Sequence, residues 1–134
     1  NRLHILNALS LTLEKSGMPD EARAVAERSY TLEPTYNESN LRYVSALIVS
    51  NNATSADEVL MKEYGTRDVL SPELIRAYTE VGQYDRAVSL LRSNLEKNPQ
   101  NASYWKLLLD VYETEGDTKA YRETKARMEK ILTD

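Results

Sequence analysis

The chain contains no cysteine and no phenylalanine, and only one histidine, one tryptophan, four glycines and four prolines. Without cysteine there are no disulfides, no thiolate metal sites and no cysteine nucleophile. His4 is the single histidine, so a catalytic or metal-binding histidine pair is ruled out. A phosphate-binding glycine loop and a Gly-x-Ser-x-Gly elbow are also missing, and no cluster of ligand-type residues converges in the sequence. These gaps argue against an enzyme, a cofactor and a metal. So few glycines and prolines over 134 residues mark few turns, which favours helices over many short strands.

Other absences narrow the partners. No apolar run approaches the length of a membrane span, so direct membrane insertion by this chain is not expected. The net charge is −4, from 17 basic and 21 acidic residues mixed along the chain. No basic block or stripe stands out, which argues against nucleic acid. The first residues do not show the pattern of a signal peptide, so none is expected here, and composition leaves the compartment open. The first residue is not Met, and Leu3, Ile5 and Leu6 are apolar from the outset, so the chain reads as a piece of a longer protein. Asn37-Glu38-Ser39, Asn52-Ala53-Thr54 and Asn101-Ala102-Ser103 fit the glycosylation pattern, but asparagine is common enough here for chance matches.

What the chain does have is a repeat. Leu74, Tyr78 and Gly82 recur as Leu108, Tyr112 and Gly116, each at a step of 34. Leu9 and Leu13 recur as Tyr43 and Leu47 at the same interval, and the next step, to Leu74 and Tyr78, is 31. Ala22, Ala56, Ala87 and Ala120 form a second series with steps of 34, 31 and 33. Two independent series shorten at the same place, which coincidence does not explain.

Within one period the spacing is helical. Leu6, Leu9 and Leu13 share a helix face, as do Trp105, Leu108 and Tyr112, and Ala87, Val88, Leu91 and Leu95 make the stripe of a second helix. Gly17, Gly82 and Gly116 separate the halves of a unit, where a positive φ ends a helix. Pro34 and Pro99 close their units. The pattern predicts eight helices, at 3–16, 19–32, 37–50, 54–64, 72–81, 84–97, 102–115 and 118–132. Thr54 with Asp57 and Ser55 with Glu58 read as capping pairs, and Ser71, Asn101 and Asp117 as further caps. Asp20-Glu21 and Asp57-Glu58 stand at helix starts, where negative charge suits the dipole. The shortened step places a fourth helix about one turn short, ended by Gly65.

Trp105-Lys106-Leu107-Leu108-Leu109-Asp110-Val111-Tyr112 resembles the opening of a tetratricopeptide repeat, and Ala87-x3-Leu91, closing at Pro99, resembles its second helix. The resemblance covers nearly the whole chain and implies an all-α fold: a right-handed alpha-alpha superhelix of four antiparallel pairs. A single domain over 1–134 would hold repeats at about 3–36, 37–67, 68–101 and 102–134. The chain departs from the family in two ways. The family's glycine in the first helix is Ser10, Val44, Ile75 and Leu109 here, and its late tight-contact alanine becomes Ser29, Glu63 and Asn94.

The resemblance implies a protein-interaction scaffold that holds a partner polypeptide in a concave groove lined by the first helices. The implied rows are Asn7, Leu41, Pro72 and Lys106; Leu11, Ser45, Arg76 and Asp110; and Glu14, Ile48, Glu80 and Glu113. Leu11, Leu41, Ile48 and Val49 would make one end apolar, with Arg76, Glu80, Lys106, Asp110 and Glu113 making the other charged. The set of Lys, Asn and Arg with which some family members grip a C-terminal carboxylate is replaced by residues such as Asn7, Leu11, Val69 and Glu73. Tyr43, Tyr78 and Tyr112 fall on core positions rather than on a nucleic-acid stacking face. Ala120, Tyr121, Thr124, Met128, Ile131 and Leu132 give the last helix an amphipathic stripe that caps the stack. Homo-oligomer assembly through open ends of the stack is a further class.

A second resemblance rests on Tyr64-Gly65-Thr66 through Tyr84-Asp85-Arg86-Ala87, then Glu96-Lys97-Asn98-Pro99-Gln100-Asn101. This stretch is similar to the C-terminal repeat region of bacterial multi-span O-antigen ligase or polymerase-like proteins. That likeness implies a soluble appendage tethered to a membrane-spanning parent, with the chemistry in the membrane part.

Overall fold

The computed structural model describes residues 1–133. Among them are eight α-helices and no strand: α1 (Arg2–Lys15), α2 (Pro19–Leu32), α3 (Asn37–Val49), α4 (Ala53–Tyr64), α5 (Pro72–Glu80), α6 (Tyr84–Lys97), α7 (Ala102–Glu115) and α8 (Thr118–Thr133). Every predicted helix is present, and its bounds differ by at most one position from those read from the period.

One local device, repeated four times, turns the chain between the helices of each pair. The amide of Met18 donates to the carbonyl of Leu13 at 3.0 Å, Asn52 to Leu47 at 2.7 Å, Gln83 to Tyr78 at 2.8 Å and Asp117 to Tyr112 at 3.0 Å. Each is the wide closure of a helix C-terminus, and each needs a left-handed residue just before the donor. Gly17, Gly82 and Gly116 supply it with φ of 79°, 79° and 81°. The second pair uses Asn51, at φ 67°, the one non-glycine residue with positive φ among the described residues. Asparagine tolerates this region better than other side chains. Its place was predictable, because it stands one full period after Gly17 and one shortened period before Gly82.

Four helices carry a side-chain cap at their start, and α2, α3, α4 and α6 begin without one. Side chains of Asn1, Ser71, Asn101 and Asp117 accept from the amides of His4, Leu74, Tyr104 and Ala120. Thr54 and Ser55, expected as caps, lie inside the first turn of α4 instead, and Asn52 precedes that helix without a side-chain cap. The early start follows from the Asn51 turn, which leaves only Asn52 before the helix. Gly65 does end α4, at φ 73°. The shortening falls differently from expectation. α4 has 12 residues against 14 in α2 and α6, while α5 has only 9. The deficit is shared between them, and the connection from 65 to 71 takes up the slack.

The chain divides into two compact units, Asn1–Ala77 and Tyr78–Asp134, with the division inside α5. In the first unit α1 packs on α2 and α3, α2 on α3, and α3 on α4. The alanines at the tight crossings, Ala22, Ala26 and Ala56, are buried, with Val44, Leu47, Leu60 and Leu74 filling the wider spaces. Burial of each large aliphatic side chain contributes roughly 1.5–3 kcal/mol. In the second unit α7 packs on α6 and α8, around Ala87, Leu91, Leu95, Trp105, Leu108 and Tyr112. The six stripe residues of α8 are half-buried, and none is fully enclosed.

The two interiors differ in chemistry. Every buried polar residue among the described ones belongs to the first unit. Ser10 donates to the Ala22 carbonyl at 2.8 Å, Asn7 donates to Ser39 Oγ at 3.1 Å, and the Ser29 and Ser39 hydroxyls share a bond of 2.7 Å. Small hydroxyls replace the family's glycine and alanine at Ser10 and Ser29, and they satisfy themselves locally.

Candidate partner-binding surfaces

In the first unit the side chains of α1, α3 and the start of α5 form a charged network centred on Arg42. Arg42 is 3% exposed. Its guanidinium bonds the Glu14 carboxylate on one side and lies 3.1 Å from Glu73 Oε1 on the other. Burying a guanidinium is costly unless its charge is matched, and two carboxylates from two other helices match it here. Burial pushes the Glu73 carboxyl above its usual range; the nearby charges of Arg42 and Arg76 pull it back, and Glu38 adds to the rise. At the rim His4 Nδ1 sits 3.3 Å from Glu38 Oε1.

The residues expected on the partner-facing rows separate into two groups. Asn7, Ser45 and Ile48 are buried. Asn7 is held by Ser39, and Ser45 lies one turn beyond Arg42 on the same helix. Leu11 is 37% exposed, Leu41 is half-buried and Arg76 is exposed. In the second unit Glu80, Lys106, Asp110 and Glu113 are all exposed, and the last three recur at spacings of four and three along α7, so they share one face.

Leu9 departs from its expected core role. Its repeat equivalent Tyr43 stacks on Tyr30 of the preceding hairpin, with ring centroids 5.0 Å apart. No described helix lies in that place beside α1, and Leu9 is 46% exposed. Tyr30 also donates to the Glu63 carboxylate. Burial, followed by this bond and the carboxylate charge, pushes its phenol up to about 12.

Arg42 was not among the sequence candidates. The signal available was its repeat position, where Ala8, Arg42, Glu73 and Leu107 are equivalent. Opposite charges at one position of successive repeats are what a bridge across neighbouring hairpins requires.

The three glycosylation patterns are engaged in folding. Asn37 accepts from the Tyr64 hydroxyl and Ser39 is buried, Asn52 donates to Ser50, and Asn101 caps α7. Among the described residues no group of three or more acidic or histidine side chains could hold a metal ion. No helix among them is long and apolar enough to cross a membrane.

No protein-family model matches the chain, and no curated protein matches it. Among solved structures, a chain titled "MamA D159K mutant 1" aligns over 96% of this chain and 77% of its own length, at 16% identity and a TM-score of 0.49. The fold is tetratricopeptide-like. That statement rests on the repeat period and the four equivalent helix closures, and the distant structural likeness adds no argument to it.

Proposed function

We propose that this chain is a scaffold that holds a partner polypeptide on the first helices of its hairpins. The observation that carries the reading is the contrast along those helices. Their core positions are closed, yet Leu11, Leu41 and Arg76 in one unit, and Glu80, Lys106, Asp110 and Glu113 in the other, stay accessible. The first set offers an apolar anchor beside a charge, and the second a mixed polar face. Asn7, Ser45 and Ile48 belong to the buried interior of the first unit. Fold alone does not name a partner.

The test is calorimetric titration of a partner segment, isolated by affinity capture and then purified, against the intact chain and its variants. Leu11→Asp and Asp110→Lys each change an exposed side chain, so circular dichroism should be unchanged while affinity falls at least tenfold. Equal affinity for both variants and the parent chain defeats the assignment.

A second reading draws on the shortened α4 and α5 together with the turn from Glu96 to Asn101. In it the chain is the repeat appendage of a bacterial membrane glycan-assembly protein, of the O-antigen ligase or polymerase-like kind, and docks a sister component. Sequencing the encoding locus upstream discriminates the readings, since a series of apolar spans supports only the second.

A further inference from the structure

The second unit contains a cleft of about 300 Å³ between α6, α7 and α8. Its apolar surface comes from Leu95, Pro99, Trp105, Leu108 and Ile131, and Arg92, Glu96 and Arg127 stand around it with Thr124. The Trp105 ring is fixed, because its Nε1 donates to the Pro99 carbonyl at 2.7 Å. Gln100 reaches from the α6–α7 turn to the Ile131 carbonyl at 3.4 Å.

The repeat itself shows why space is left. Leu95 and Leu108 hold the places that Tyr30 and Tyr43 hold two repeats earlier. In the first unit those two tyrosines stack and fill the junction between a hairpin's second helix and the next hairpin's first. Two leucines replace that stacked pair with less volume, and the Trp105 ring lines the opening beside them. Arg127 follows Glu63 at the same interval as Ala120 follows Ala56. So where Glu63 accepts from the Tyr30 hydroxyl, the second unit places a guanidinium opposite a leucine. The first unit closes this position with its own side chains, and the second leaves it open and reverses its charge.

Charge completes the argument. Arg92 and Arg127 are exposed and join no ion pair among the described residues. α8 carries five basic residues against two acidic ones. A volume near 300 Å³ lies at the lower bound for ligand pockets, which suits one large side chain rather than a cofactor. We infer that the cleft between α6, α7 and α8 is a second binding site, for a peptide segment that inserts an aromatic or large apolar side chain and places flanking carboxylates on Arg92 and Arg127. Glu96 opposes this charge and sets where the carboxylates can lie. The site shares no residue with the Leu11 and Asp110 surfaces.

Trp105 is the single tryptophan and lines the cleft, so its fluorescence reads occupancy directly. The probe is a blocked hexapeptide with a central Phe flanked by aspartates, compared with lysine-flanked and Phe→Ala versions. The intact chain should bind the first saturably, with a shift in tryptophan emission, and the two controls at least tenfold more weakly. Arg127→Glu, at an exposed position, should weaken binding tenfold or more, and Glu96→Gln should strengthen it. Leu95→Tyr with Leu108→Tyr should fill the cleft and abolish binding. Leu11→Asp should bind as the parent chain does, which separates this site from the scaffold surface. Equal binding of aspartate- and lysine-flanked peptides, or no saturable binding at millimolar peptide, overturns the inference. Emission that shifts with protein concentration alone assigns the cleft to a second copy and overturns it too.

Discussion

Replacing Arg42 with methionine removes the cation at the centre of the first unit while keeping most of the side chain's volume. Arg42 is 3% exposed, and the side chains of Glu14 and Glu73 are 12% and 35% exposed. The variant therefore keeps two carboxylates around an apolar thioether. Breaking a buried pair by removing one partner costs about 3–5 kcal/mol, and the partial exposure of Glu73 puts the expectation at about 3. With a urea slope of roughly 1.5 kcal/mol per molar, the unfolding midpoint falls by about 2 M. Hydrogen exchange of the α3 amides localises the loss to the first unit.

The pH dependence has a definite sign. Burial raises Glu73 and Arg42 lowers it, so in the variant burial acts with less opposition and the folded-state value climbs further above the unfolded one. A group raised in this way stabilises fully below its unfolded pKa, about 4.3, and loses that contribution as pH rises through the folded value. The deficit of Arg42→Met should thus be smallest in acid and grow toward neutrality. Adding Glu73→Gln should restore part of the stability at pH 7. A loss under about 1 kcal/mol, or one that does not change between pH 4 and pH 7, would refute the view that matched charge holds this interior together.

Two further outcomes test the repeat. Asn51→Ala should cost about 1 kcal/mol by thermal denaturation, because alanine lacks the local hydrogen bonding that eases a left-handed backbone, whereas Asn51→Gly should be neutral or stabilising. Equal effects would remove the left-handed requirement from the turn. In a spectrophotometric titration of tyrosines, one phenol should ionise near pH 12, and Tyr30→Phe should delete that step. The sign is again that of a raised group, so its stabilising share persists below pH 10 and is lost as pH passes 12.

Much of the architecture was legible because it is locally encoded. The closure that ends the first helix of each pair depends on one left-handed residue, and Gly17, Gly82 and Gly116 announce it. Asn51 did not announce itself by type, only by phase. The misassigned caps Thr54 and Ser55 have the right chemistry in the wrong frame, since the turn before α4 is tighter than their pattern suggests. Leu9 has the spacing of a core residue, but burial needs a neighbour, and spacing within one helix cannot supply it. For the same reason Asn7, Ser45 and Ile48 share repeat rows with accessible residues and are nevertheless enclosed.

The sequence by itself determined the period, the helices and the turns between them, because these follow from interactions within a turn or two of the chain. The tertiary structure alone decided which equivalent positions became interior, surface or void. Arg42 of α3 meets Glu14 of α1 and Glu73 of α5, and the cleft brings Leu95 of α6 together with Ile131 of α8. At such separations along the chain a side chain's role is set by the volume and charge of what packs against it, and a difference as small as Tyr30 against Leu95 separates a filled junction from an open one.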